Sequence, residues 1–261
     1  MSTEAISRRE LMVALAAFTV AGVAVFFAAA WAYARFGGEF IDGLDNELGE
    51  VLMDRAMRFE EAGAIENAKA VYGEAIARPF YGPQNRADTA KRLGVLHWQA
   101  GELEAAAPLL REAAVFDPPP LSVFEPLCDC LMALGQYAEA EGLIARWITI
   151  AGELGLPIEI AKAKYYEGEI ALAQGDPERA EACFLEGVQH VPGGRNASEL
   201  GLMYYEQGAL EQALPYIDAY LETGTGERAE YFRWLRGHIV EKVRPATGDA
   251  GRSDGSDGSG I

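Results

Sequence analysis

Residues 86–118, RADTAKRLGVLHWQAGELEAAAPLLREAAVFDP, decide the fold. Small residues stand where two helices would have to touch (Gly94, Ala106, Ala113), Leu93 and Leu110 fill the space between them, and Gly101 turns the chain. Asp117 and Pro118 mark the expected end of the second helix. A single helix pair of this kind cannot bury its own apolar face, so it predicts neighbours built the same way.

Those neighbours are present along the chain. Glycines that align with Gly101 are Gly63, Gly135, Gly175 and Gly208, and five residues after each comes an alanine: Ala68, Ala106, Ala140, Ala180 and Ala213. Seven residues before the glycine a small residue recurs as Ala56, Gly94, Cys128, Gly168 and Gly201. Nine residues after it a large one recurs as Tyr72, Leu110, Ile144, Phe184 and Ile217. Small against large at fixed spacing predicts two closely packed helices with a knob between them.

With its period of roughly 34 residues, this pattern resembles the tetratricopeptide repeat family. The resemblance runs from about Leu44 to Val243 and implies antiparallel helix pairs stacked into a right-handed superhelix with a concave inner face. Twelve residues after the turn glycine the family carries alanine; here the residues are Ala75, Ala113, Trp147, Gly187 and Tyr220. The two large ones, Trp147 and Tyr220, predict altered helix spacing or a kink. Only Pro118 and Pro192 match the family's proline at the close of a repeat, and Pro83 and Pro157 fall in insertions where helices are expected to end.

Ahead of the repeats, residues 11–34 (LMVALAAFTVAGVAVFFAAAWAYA) are uncharged and, at ~1.5 Å per residue, long enough to span a bilayer. Arg8 and Arg9 precede this stretch, Arg35 follows it, and the flank beyond is acidic, which favours a single-pass anchor in a bacterial inner membrane with the bulk of the chain periplasmic. Trp31 and Tyr33 suit an interfacial aromatic belt. A twin-arginine export signal cleaved after Ala32-Tyr33-Ala34 and a cytoplasm-facing domain are the competing readings. The expected organisation is all-α: an N-terminal tail (1–10), a transmembrane helix (11–34), a linker (35–43), about five repeats (44–226), a capping helix (227–243) with Tyr231, Trp234, Leu235 and Ile239 on one stripe, and a disordered tail (244–261).

Forty acidic residues against 22 basic ones, a formal net charge of −18, argue against nucleic-acid backbones and anionic membrane surfaces as partners. Cys128, Cys130 and Cys183 lack metal or redox spacing and read as small packing residues. Cys128 and Cys130, two apart on a helix, are expected to point to nearly opposite faces. His97, His190 and His238 fall on separate elements without a ligand pattern, and no nucleotide-binding glycine loop, zinc-protease or serine-elbow motif occurs. No catalytic residue, metal, cofactor or small-molecule substrate is therefore expected.

The family's inner face implies a binding groove. The first helix of each pair contributes Met53, Met57, Val95, Trp98, Met132, Tyr165, Leu172, Leu202 and Tyr205, set among Lys91, Asp129, Glu169 and further carboxylates, with Lys162 and Arg195 as bases. Such a surface suits a protein segment with apolar anchors and basic neighbours, and Trp98 is the leading single anchor. Of the basic and Asn residues by which chaperone-type members hold a C-terminal carboxylate, Lys91 alone fits, so carboxylate capture is not expected. The expected function is a membrane-anchored scaffold that binds a protein partner and assists assembly of an envelope complex. The alternatives are a permanent structural subunit held by its transmembrane helix, whose Ala14, Ala17, Ala21 and Gly22 would pack against other helices, and a cytoplasm-facing adaptor.

Overall fold

The computed structural model describes residues 47–78, 82–116 and 118–243, and these are all-α. The chain is helical from 47 through 61 (α1), followed by α2 (Ile65–Ile76), α3 (Pro83–Gln99) and α4 (Leu103–Ala114). A short 3-10 turn at Leu121–Val123 leads into α5 (Phe124–Ala133), α6 (Tyr137–Glu153), α7 (Pro157–Ala173), α8 (Pro177–His190), α9 (Arg195–Glu206), α10 (Leu210–Thr223) and α11 (Gly226–Val243). The chain divides between Pro119 and Pro120 into two compact units.

Each expected turn glycine adopts a left-handed conformation, with φ of 72° at Gly63, 75° at Gly101, 69° at Gly135, 78° at Gly175 and 76° at Gly208. The same pair of backbone bonds closes every one of these turns. In the second pair of helices, Gly101 N–H donates to Trp98 O at 2.9 Å and Glu102 N–H to His97 O at 2.9 Å. The carbonyls that a helix end leaves open are thereby satisfied, and only glycine reaches this geometry without strain. Gly155 (φ 65°), which the alignment passed over, closes α6 in the same way, through Gly155 N–H to Gly152 O and Leu156 N–H to Ala151 O.

In the pairs α3–α4, α7–α8 and α9–α10 the small residue and the knob meet as expected. A Cβ added at Gly94 would stand 2.8 Å from Leu110 Cγ, and one at Gly201 2.8 Å from Ile217 Cγ1. The alanines five residues after the turns, Ala68, Ala106, Ala140, Ala180 and Ala213, are all fully buried.

In the first unit, α3 packs against α2 and α4, around a core of Leu52, Ala56, Tyr72, Ala75, Leu93 and Leu96. Lys69, only 7% exposed, reaches from α2 to Glu102 at the start of α4, 3.0 Å from both carboxylate oxygens. In the second unit each helix packs on the next from α5 to α11, and in addition α5 touches α7 and α7 touches α9. The first helices of the pairs thus adjoin one another directly and form the inner side of that unit.

Several expectations are corrected. Among the described residues no helix is long and apolar enough to cross a membrane: α3, α6 and α7 have 17 residues each and α11 has 18 with charges throughout, against about 20 apolar residues needed. The described residues are therefore all-α without a membrane-spanning helix, and the single-pass inner-membrane location is withdrawn. Residues 11–34, on which the expected transmembrane helix and that location rested, lie outside the described residues, as do the tail at 1–10, the linker at 35–43, the tail at 244–261 and Asp117. Pro83 and Pro157 occupy the first turns of α3 and α7. They begin helices rather than end them, because a first-turn proline forfeits no helical hydrogen bond.

The large residues twelve positions after the turns bring no break, since α6 and α10 run unbroken through them. Trp147 is fully buried, stacked on Phe124 with ring centroids 5.4 Å apart, and its Nε1 donates to Glu159 at 3.1 Å. Tyr220 packs against Phe232 of α11 with centroids 4.7 Å apart. On α11 the buried stripe is Ala229, Phe232, Leu235 and Ile239, whereas Tyr231 and Trp234 are 46% and 60% exposed. Cys128 and Cys130 are both fully buried despite their spacing, because α5 is covered by α6 and by α7. Burial drives the Cys128 thiol well above its ordinary range and pushes Cys183 up to about 11.

Candidate functional site

The expected groove residues fall on both units, and each unit is described by itself. In the first, Met53 and Met57 on α1 are half-buried and pack against the core, so part of their surface serves stability. Val95 and Trp98 on α3 are also half-buried, and Lys91 Nζ sits 3.0 Å from Asp88 Oδ1 one turn earlier.

The second unit carries the better-formed site. Its centre is Tyr165, half-buried on α7, whose ring meets Tyr166 edge-on at 5.3 Å and lies 6.3 Å from Phe184. The Arg195 guanidinium at the start of α9 lies 5.3 Å from the Tyr165 ring centroid, a cation on an aromatic face. Burial pushes the Tyr165 hydroxyl up to about 12. Asp129 on α5 accepts from the Tyr166 hydroxyl at 2.8 Å, which ties the first two inner helices together.

A cavity of about 210 Å³ opens beside Tyr165. Its walls are Ile158, Ala161 and Tyr165 of α7, Val191, Gly193 and Gly194 of the α8–α9 connection and Asn196 of α9, with Glu125, Lys162 and Arg195 as its charged members. Glu125 of α5 holds Arg195 at 3.1 Å and Lys162 at 3.7 Å, and Lys162 also pairs with Glu159 at 3.0 Å. Asn196 is only 3% exposed; its Nδ2 donates to Ala161 O at 2.8 Å, while Oδ1 has no hydrogen-bond partner. This amide fits because residue 187 is glycine: a Cβ there would stand 2.3 Å from Asn196 Cγ.

One turn beyond Tyr165, Glu169 is half-buried, and its carboxylate makes no hydrogen bond or ion pair among the described residues. Burial first, and then the neighbouring Glu199 charge, push its carboxyl up to about 7, against the opposing pull of Arg228 and Arg195. Arg228 of α11 is committed to Glu199 and to Ser198 Oγ. The remaining expected residues spread from this centre. Met132 is half-buried on α5, Leu172 is 38% exposed at the end of α7, and Leu202 and Tyr205 on α9 pack against the core shared by α9, α10 and α11. Tyr165 and Glu169 are thus brought together with Lys162 and Arg195. Ile158, Val191, Asn196 and Arg228 were not foreseen; the only sequence signal for them was an apolar residue beside each of Pro157 and Pro192.

A profile of the tetratricopeptide repeat family matches residues 53–119 and 165–228. Among solved structures, that of MamA is similar over 77% of this chain and 97% of its own, at 19% identity and a TM-score of 0.54. PilF of Pseudomonas aeruginosa is similar over 78% of this chain and 95% of its own, at 17% identity and a TM-score of 0.54. A tetratricopeptide repeat protein from Parabacteroides merdae is similar over 74% and 72%, at 14% identity and a TM-score of 0.58. At these identities the likeness concerns the fold. Comparison with curated protein sequences gives no match.

Proposed function

This chain belongs to the tetratricopeptide repeat family, a scaffold suited to protein–protein interaction, and from that premise we propose that it assists assembly of a protein complex by holding a partner segment on the inner face of its second unit. The observation that carries this reading is the cavity beside Tyr165, an apolar socket rimmed by charge on the side where α5, α7 and α9 adjoin. Apolar anchors filling preformed pockets supply most of the energy of such contacts. Asp129, Met132, Glu169, Leu172, Leu202 and Tyr205 extend the same surface. Met53, Met57, Lys91, Val95 and Trp98 form a second contact surface on the first unit. The role is one of binding, with no catalytic step.

Site-specific photo-crosslinking tests this. A crosslinking residue at position 165 is expected to give one abundant adduct in cells, and the same residue at Gln189, exposed on α8, to give none. Equal labelling from both positions would overturn the assignment of the face.

A further inference from the structure

The inner face of the second unit has a charge balance that points to the chemistry of its occupant. Two cations stand near Glu169, and both are engaged elsewhere: Arg195 with Glu125 at 3.1 Å, and Arg228 with Glu199. Lys162 is shared between Glu125 and Glu159. Glu169 is left as the half-buried carboxylate without an ion pair, on a face where Glu199 adds to the negative field. Withdrawing a carboxylate from water without a partner is costly, and a cation supplied from outside removes that cost.

Next to it the cavity offers the opposite chemistry. Ile158, 61% exposed although apolar, together with Ala161, Tyr165 and Val191, makes a socket for an apolar side chain. Asn196 in the same wall holds a buried acceptor oxygen without a donor. The middle of the socket lies near Lys162, two helical turns from Glu169, so the two features stand ~10 Å apart along α7. That distance is covered by about three residues of extended chain.

We propose that this face receives an extended protein segment carrying a large apolar side chain and, about three residues away, a lysine or arginine. The apolar group fills the socket beside Tyr165 and the cation pairs with Glu169. This rests on the reading of the inner face as the docking surface and adds the sequence character of what docks there. The strongly acidic chain favours the approach of such a basic segment.

The test uses the full chain and three acetylated, amidated peptides in a common Gly-Ser background, carrying Phe-x-x-Lys, Phe-x-x-Glu or Ser-x-x-Lys, with binding read by fluorescence anisotropy. The Phe-x-x-Lys peptide is expected to bind roughly tenfold more tightly than either of the others. Glu169→Gln should abolish the preference for Lys over Glu, and Glu169→Lys should reverse it, with thermal melting showing both variants folded. Indifference of the native chain between Lys and Glu would overturn the inference, and the docking face would still stand if Tyr165→Ser weakened both Phe peptides. Unchanged binding in Tyr165→Ser would overturn the docking face and the inference together. Failure of all three peptides to bind at about 1 mM would overturn the inference alone if the position-165 crosslink persisted.

Discussion

Phe184 of α8 lies so close over Gly168 of α7 that a methyl group at Gly168 would stand 2.3 Å from the ring's Cε1. The ring has no room to retreat, since its other side meets Tyr165 and the core of Ala171, Ala180 and Leu200. Gly168→Ala is therefore expected to destabilise the second unit by about 1–3 kcal/mol, the usual cost of overpacking. Gly142 on the exposed side of α6 has nothing within 4 Å of an added Cβ, and Gly142→Ala should stabilise by about 0.5–1 kcal/mol through helix propensity. Urea unfolding of the two variants, compared with the parent, reads both signs.

The turn after α6 gives a second prediction. Gly155 has φ 65° and open space around it, so Gly155→Ala is penalised by backbone conformation and not by contact. A loss of about 1–2 kcal/mol is expected, and Gly155→Asn should recover part of it, because asparagine tolerates the left-handed region. Thermal unfolding of the pair of variants measures the difference.

Removing the buried indole is the severest change. Trp147→Ala deletes a fully buried ring stacked on Phe124 and a hydrogen bond to Glu159, and should cost about 3–5 kcal/mol. Trp147→Phe keeps an aromatic ring for stacking but loses the N–H and part of the buried volume, at about 1–2 kcal/mol. Denaturant midpoints that failed to rank the two in this order would contradict the packing around α5, α6 and α7.

Glu169 makes stability depend on pH in a stated direction. Its carboxyl stands at about 7 in the folded protein against 4.5 for an ordinary glutamate, so the folded chain binds this proton more tightly than the unfolded one. The contribution is fully present below about pH 4.5, is lost as pH rises to about 7, and is flat above that. Relative to Glu169→Gln, the native chain should therefore lose stability across this window and not beyond it. Denaturant titrations of both proteins at pH 4, 5.5, 7 and 8.5 would show the difference curve.

The parts of the fold that were legible in the sequence are those set by local geometry. A left-handed turn demands glycine and a close helix crossing demands a small residue, so Gly101, Ala106 and the pairing of Gly94 with Leu110 could be placed from spacing alone. Features that depend on a neighbour's surface could not. Which side of α11 turns inward is decided by Tyr220, which draws Phe232 into the core and leaves Tyr231 and Trp234 outside. Proline reads equally as a stop or a start, and Pro83 and Pro157 prove to be starts. Of the candidate site, Tyr165, Glu169, Lys162 and Arg195 are residues that the family resemblance implies for the inner face, whereas the socket needs the α8–α9 connection, whose Val191 and Gly194 obey no period.

The pairing of Glu199 on α9 with Arg228 on α11 bears on the order of events in the cell. The knobs Leu110, Phe184 and Ile217 each meet a glycine of their own helix pair, so such a pair can close over a short loop soon after its second helix is made. The first unit can accordingly finish while the ribosome is still translating the second. Glu199 obtains its partner only when α11, the last described helix, arrives. The face of the second unit that we assign to the partner is thus the last part of the described fold to be completed, and a nascent chain lacks that finished surface until α11 has been synthesised.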